Sequence, residues 1–404
     1  MRIAEVSCFS KYSVGKIMQG IKSYINNNTN STCEIFYARF RNDDSNICVG
    51  NKVAVYSNAL LARLFDNDGF LPSYITKKLI DRLEKFNPDI IHIHCLHGYY
   101  ANVKILFKYF KYKNIKIVWT MHDAWAITGH CCYFSQINCE RWKKECYSCP
   151  LKTTYPSSFM LDCSSKNYSK KKEIFNSLDV NNMIIVTPSK RLEDIIKQSY
   201  LKQYSVTTIY NGIDISKFKI KDSKKLHDKK LILGVASVRD ERKGLNKFLE
   251  LSGVISSDWE ILLIGKFPKK VMLPNNITHI DRTDSQDELV EIYNKSTILF
   301  NPTLDDNYPT VNLEAQACGL KVLTYNTGGS LETNCGNLFS CKEQSPECIF
   351  KLIKEICSKE NKKVNLDKLN FDRMSKEYFE LFNKMEAFND STYEKNIEKN
   401  SCAN

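Results

Sequence analysis

Residues 301–319 read NPTLDDNYPTVNLEAQACG, and their folding decides the architecture. The apolar run Ile298, Leu299 and Phe300 just before them predicts the end of a buried strand. A polar loop follows over 303–308. Pro309 suits a first helical turn, where its missing N–H would have had no partner, so 310–318 is predicted to be a helix. Asp306 falls in the loop and Glu314 on the helix, eight positions later. The backbone N–H groups around Thr310 and Val311 have no intrahelical acceptor and sit at the positive end of the helix dipole, which suits phosphate. Carboxylates beside them would repel phosphate, but they accept hydrogen bonds from sugar hydroxyls. Amides for a diphosphate and acids for hydroxyls describe a nucleotide-sugar pocket. The plainer reading is an ordinary strand–helix unit with solvated acids in its loop.

The rest of the composition sets bounds on that pocket. A chain of 404 residues is long enough for two cores, and 43% apolar content excludes a disordered chain. A net charge of +12 admits nucleotide phosphates, a nucleic acid or a membrane surface as anionic partners. The first ten residues are short, weakly apolar and interrupted by Glu5, unlike a signal peptide. No run approaches the ~18 apolar residues that span a bilayer. A cytosolic location is therefore expected, and with it 16 cysteines that are mostly thiols.

Strand-like and helix-like stretches alternate along the chain, which argues for mostly parallel sheets. Residues 3–8 read as a strand, followed by a loop with Gly15 and an amphipathic helix. Gly15 is either a place where backbone approaches substrate or a turn residue. The loop is no G-x-G-x-x-G, so a dinucleotide is not indicated. In the strand 89–95, His92 and His94 share one face and read as structural, whereas His97 stands at the carboxyl end, where ligands of open sheets gather. Residues 101–112 mix lysines with aromatics, fitting either a membrane-surface helix or a solvated helix with one buried face. His122 and Asp123 follow the strand 116–121. Cys146-x-x-Cys149 is half of a zinc knuckle, and Cys139 with Cys131 or Cys132, or His130 in place of one thiolate, would complete a tetrahedron. A structural zinc would suit a segment of such low apolar content. Residues 164–172 read as a surface loop. After a turn at 211–214, a second run of strands and helices begins near 231. Its first loop holds Arg239, Arg242, Lys243 and Gly244. Fixed cations there would favour a leaving diphosphate, whose charge grows as the sugar bond breaks. A last helix is expected over 372–388, with 395–404 frayed.

The Asp306–Glu314 spacing, continued by Ala317, Cys318, Gly319 and by 320–332 (LKVLTYNTGGSLE), resembles the donor site of family-4 retaining glycosyltransferases. The resemblance implies the GT-B fold, α/β, with two Rossmann-like domains facing a central cleft and a C-terminal helix crossing back to the first. It divides the chain into an acceptor-side domain 1–212 with a Cys-rich insertion 129–163, a nucleotide-sugar domain 213–371, and the returning helix and tail 372–404. It implies that Glu314 binds the ribose hydroxyls, that Asp306 (where the family usually has Glu) lies at the donor sugar, and that His122 hydrogen-bonds that sugar. Lys243 matches the family lysine that grips the diphosphate. The family arginine falls on Ser237, with Arg239 or Arg242 as its substitute. A similar insertion occurs in a subgroup of bacterial surface-polysaccharide transferases. That implies a saccharide acceptor, lipid-linked, at the inner membrane face; the family resemblance itself implies retention, and neutralisation by Lys243, an arginine and the helix amides leaves no need of a catalytic metal. The rivals are a GT-B nucleotide-sugar epimerase, which needs no acceptor, and a zinc-containing nucleic-acid-binding protein, which would show steep salt dependence. The sequence supplies no RNA-recognition motif, and no nucleic-acid partner is expected.

Overall fold

The computed structural model describes residues 1–39, 45–221, 229–238, 240–267, 270–342 and 345–401, with side chains through residue 387. Arg239 lies outside the described residues. The chain divides into two compact units. One comprises Met1–Phe134, Cys139–Tyr210 and Met374–Asn404; the other comprises Ser135–Asn138 and Asn211–Arg373.

The first unit runs β1 (Arg2–Ser7), α1 (Tyr12–Asn28), β2 (Thr32–Tyr37), β3 (Ile47–Cys48), α2 (Lys52–Phe65), α3 (Tyr74–Phe86), β4 (Ile90–Ile93), α4 (Val103–Lys113), β5 (Lys116–Thr120), α5 (Ser164–Phe175), β6 (Met183–Thr187), α6 (Lys190–Lys197) and β7 (Ser205–Thr208). Its seven strands lie in the order β3-β2-β1-β4-β5-β6-β7, all parallel. Helices cover both faces of such a sheet, so its strands read as continuous apolar runs. β4 and β5 are buried along their whole length.

The second unit runs β8 (Lys230–Val238), α7 (Leu245–Ser252), β9 (Trp259–Lys266), β10 (Ile277–Ile280), α8 (Gln286–Lys295), β11 (Ile298–Asn301), α9 (Thr310–Ala317), β12 (Lys321–Tyr325), β13 (Leu338–Cys341) and α10 (Pro346–Ser358). The strand order is β10-β9-β8-β11-β12-β13, again all parallel. In each sheet the order reverses beside the first strand, between β1 and β4 and between β8 and β11. The carboxyl ends at such a reversal form a ligand crevice in open α/β sheets.

A final helix, α11 (Phe371–Ser401), joins the first unit from Met374 onward. Tyr378 and Phe382 are fully buried there. Their rings pack on His92 with centroids 4.9 and 5.4 Å away, and the Tyr378 hydroxyl lies 2.9 Å from Thr120 Oγ1. The helix continues to Ser401, beyond the point where fraying was expected.

Two sequence expectations are corrected. Residues 164–172 are no loop: they form α5, whose inward face is Asn167, Tyr168, Lys171 and Phe175. Three of those four are polar, so the helical period is hidden from hydropathy. Lys171 is buried, donates to the carbonyls of Trp125 at 2.9 Å and Thr128 at 3.2 Å, and lies over the Trp125 ring. In α4, Phe107 and Phe110 belong to the core and pack on each other, with Phe107 also against Trp119 and Phe175. The aromatics that would have entered a membrane are already used, and Lys104, Lys108, Lys111 and Tyr112 face outward.

Replacing Phe382 with Ala is expected to destabilise the protein by about 3–5 kcal/mol through the cavity it leaves. Denaturant unfolding measures this, and a cost below about 1 kcal/mol would mean that α11 is not part of the first unit's core.

Candidate functional site

The carboxyl ends of β8 and β11 bring three of the expected residues together. Lys243 follows β8, Asp306 follows β11, and the Lys243 ammonium forms an ion pair with Asp306 Oδ2. Burial pulls Lys243 below its ordinary value even with Asp306 beside it. Burial would raise Asp306, but Lys243 and Arg242 outweigh it and hold the carboxyl below the usual range. The two loops are also stitched together by backbone. Leu304 N–H donates to the Arg242 carbonyl at 2.8 Å, and Arg242 Nη1 donates to the Asp305 carbonyl at 2.7 Å. Arg242 thus braces the loop that carries Asp306. Gly244 has φ of +72°, and a Cβ there would lie 2.4 Å from the Pro302 carbonyl oxygen. Only glycine allows that approach of the two loops.

α9 starts where this crevice ends. Pro309 is its N-cap, one position earlier than expected, and Thr310 and Val311 are the first helical residues, both half-buried. The helix is held by amides. Asn301 Nδ2 donates to Asn312 Oδ1 at 2.9 Å, Asn312 Nδ2 donates to Thr333 Oγ1 at 3.0 Å, and Gln316 Nε2 donates to the Thr333 carbonyl at 2.8 Å. Glu314 is buried and accepts from the Tyr293 hydroxyl at 3.0 Å. A fixed cation, two carboxylates and a helix start therefore surround one sheet reversal.

In the first unit, the reversal between β1 and β4 holds a hydrogen-bond chain centred on Glu5. This carboxylate is fully buried in β1. Its Oε1 is 2.9 Å from His92 Nδ1 and its Oε2 is 2.6 Å from His94 Nε2. Burial would raise its pKa, but the two imidazoles outweigh burial and hold it at about 2. An ionised carboxylate can only accept, so both rings donate to it. Burial, with His92 nearby, pushes His94 down to about 4, which keeps it neutral. Its Nδ1 is then an acceptor, and His122 Nε2, 2.8 Å away, must be the donor. His92 Nε2 lies 2.7 Å from Thr120 Oγ1, which is bonded in turn to the Tyr378 hydroxyl. Along the His94 branch the protons point toward Glu5, and the tautomer of half-buried His122 is fixed as Nε2–H. His97 is engaged differently. Its Nε2 is 2.8 Å from Asp123 Oδ2 and its Nδ1 is 3.1 Å from the Tyr155 hydroxyl. Burial would lower its pKa, but Asp123 raises it to about 9. Gly15 is corrected: it lies inside α1, and a Cβ there would lie 2.3 Å from the Ser10 carbonyl carbon. The close approach it permits is to the chain's own backbone.

These two sites sit in regions with known relatives. Residues 216–371 match the family Glycosyl transferases group 1, and residues 50–217 match Glycosyltransferase Family 4. Each of these regions is thus similar to a glycosyltransferase family model. One relative is WcaC of Escherichia coli (strain K12), named for colanic acid biosynthesis as a glycosyl transferase. It is 27% identical over 291 residues, which is 70% of each chain. Among solved structures, a glycosyltransferase from Rickettsia africae ESF-5 superposes with a TM-score of 0.62 at 14% identity, covering 95% of this chain and 98% of that one. Anabaena HepE, solved in complex with UDP-glucose, gives 0.64 at 11%, covering 95% and 100%. The two parallel-sheet Rossmann-like units are the GT-B fold.

In the first unit, sequence reasoning missed Glu5 and Tyr378. Glu5 was legible in principle, since an acid inside an apolar strand needs a buried partner, and His92 and His94 alternate on one face of a strand nearby in the chain. Tyr378 gave no local signal. Cys131, Cys139, Cys146, Cys149 and His130 line one small cavity in the first unit. They are not among the groups whose ligand atoms already lie within 4.8 Å of one another. Among the described residues those groups are Glu5, His92 and His94, and His97, Asp123 and Cys132.

The histidines give a pH signature. The unfolded chain protonates His94 below about 6.5, whereas the folded protein resists until about 4. Stability is therefore expected to fall by on the order of 3 kcal/mol as pH drops from 6.5 to 4. Glu5 extends the loss below its ordinary value of 4.5, toward 2. His97 acts at the other end: its contribution is complete below 6.5 and fades as pH rises toward 9. Urea unfolding at a series of pH values checks this, and a flat profile from 6.5 to 4 would overturn the neutral assignment of His94.

Proposed function

We propose that this chain transfers a sugar, with retention, from a nucleoside-diphosphate sugar to a saccharide acceptor in surface-polysaccharide synthesis. The observation that carries the reading is the Lys243–Asp306 pair at the β8–β11 reversal, with Glu314 on the helix that begins beside it. The donor diphosphate would sit against the α9 amides at Thr310 and Val311 and draw Lys243 from Asp306. Released from that pair, Asp306 would accept from a hydroxyl of the sugar. Glu314 would accept from the ribose hydroxyls, as its counterpart does in the resembling family. As the sugar–phosphate bond breaks, charge gathers on the leaving oxygens, where Lys243 and the helix amides are already oriented. Such prior orientation favours the transition state over the bound substrate. Fixed protein charges fill the role a catalytic metal would otherwise serve. By the family resemblance, His122 would hydrogen-bond a hydroxyl of the transferred sugar.

For the acceptor, we infer a lipid-linked saccharide at a membrane surface. The relation to WcaC and the net charge of +12 support this. So does the outer face of α2, where Val53, Tyr56 and Leu60 are exposed on a helix that carries Lys52 and Arg63 and no acid. No described helix is long and apolar enough to cross a membrane.

Incubation with labelled nucleotide sugars is expected to show transfer to a saccharide acceptor, or slow donor hydrolysis without one. Glu314→Ala is expected to reduce kcat/KM for the donor by roughly 10–100-fold, the loss of a hydrogen bond to a charged group. Unchanged turnover would remove Glu314 from the site. Sugar inversion at a carbon without any acceptor would favour an epimerase instead.

A further inference from the structure

The segment between β5 and α5 holds a feature that the sugar-transfer reading does not use. His130 is buried at 2% exposure. Its Nδ1 is bonded to Asp66 Oδ1, while its Nε2 is buried without a hydrogen-bond partner. A buried polar nitrogen left so costs free energy. This one belongs to a residue that lines the same cavity as Cys131, Cys139, Cys146 and Cys149, with Trp142 as its apolar wall.

The surroundings are those of a soft-metal site. Asp66 ends α2 in a left-handed conformation. Its second oxygen accepts from Cys163 N–H at 2.7 Å, so the carboxylate is fixed from both sides. A carboxylate holding Nδ1–H and turning Nε2 outward is the usual outer partner of a metal-bound histidine. The sulfurs meet backbone donors: Gly129 N–H faces Cys146 and Leu151 N–H faces Cys149. The Cys131 thiol is hydrogen-bonded to Cys149. Cys146 and Cys149 come from one tight turn, with Ser148 at a φ of +41°. Soft thiolates with one imidazole select zinc over oxygen-seeking cations.

The tighter groups elsewhere are accounted for by their own bonds. Glu5, His92 and His94 direct all their ring nitrogens and carboxylate oxygens at one another or at Thr120 and His122. His97 and Asp123 form an ion pair completed by Tyr155. The His130 cavity differs in keeping a buried nitrogen that no protein group meets.

We propose that this cavity binds one zinc ion through the thiolates of Cys131, Cys146 and Cys149 and through His130 Nε2, with Asp66 orienting the imidazole. Binding releases the thiol protons to solvent and draws the sulfurs together around the ion. Its role is structural. Between β5 and α5 the chain forms only short 3-10 turns, at Trp125–Ile127, Ser135–Ile137 and Arg141–Lys143. A metal cross-link would fix this irregular segment where its apolar residues join the main core. The inference is independent of sugar transfer and stands whichever substrate the protein takes.

The experiment is metal analysis of the full-length protein, purified without chelator from zinc-supplemented culture. About one zinc per chain is expected, released by an organomercurial that titrates the thiols. Cobalt substitution of the same protein is expected to give tetrahedral d–d bands with a thiolate charge-transfer band. Cys146→Ser and His130→Ala are each expected to lower zinc content several-fold, and Asp66→Asn to weaken retention against a competing chelator by ~10–100-fold. Should the cysteine variant not fold, mercurial release from the wild type still decides the thiolate ligands. Wild-type protein with only trace zinc and no cobalt spectrum would overturn the site. Full zinc in His130→Ala together with its loss in Cys139→Ser would overturn the place given to His130.

Discussion

An ionised carboxylate sealed inside β1 is the constraint on which the first unit is arranged. Glu5 has no water to solvate it, so its stability rests entirely on donors. Two imidazoles from the neighbouring strand supply them. Because the carboxylate can only accept, it dictates the proton position on each ring, and through His94 on His122. The same network reaches the far end of the sequence, where the Tyr378 hydroxyl bonds Thr120. A polar network of this kind is stable only when every member is satisfied. That explains why a helix some 370 residues downstream belongs with the first strand.

The second unit solves a different problem with similar means. A strand order that reverses at β8 and β11 leaves two loops side by side at the carboxyl edge. Gly244 removes the side chain that would hold them apart, and Arg242 ties one to the carbonyl of the other. Lys243 and Asp306 then neutralise each other in a half-buried setting. Such a pair is poised rather than strongly stabilising, since each charge gives up part of its solvation. The amide clamp of Asn312 and Gln316 holds the start of α9 in place beside this pair.

The His130 cavity shows the opposite state of a polar site. Its imidazole is anchored on one side by Asp66 and has no protein partner on the other. The neighbouring thiols bond to each other and to backbone amides. The contrast with Glu5 is chemical: one network closes on itself, and the other leaves a buried nitrogen unpartnered.

Much was legible in the residues themselves. Apolar runs placed 3–8, 89–95 and 116–121 within one or two residues of β1, β4 and β5. The Asp306–Glu314 spacing marked the loop and helix of the second unit because both acids are near each other in the chain. Gly244 and Lys243 were readable for the same reason. What sequence could not show depends on partners far apart along the chain. The helix α5 was read as a loop because its buried face is polar, and only Trp125, Thr128 and the core reveal why Lys171 can lie inside. Gly15 resembled a substrate contact until Ser10 was seen to fill the space. The aromatics of α4 could have served a membrane or a core, and packing against Trp119 and Phe175 decided it. Local sequence thus determined where backbone elements start and stop, through propensity and hydropathy acting over a few residues. Tertiary structure alone decided which buried polar atoms meet, because a hydrogen bond or an ion pair is set by distance in space and carries no signature in the spacing of its partners.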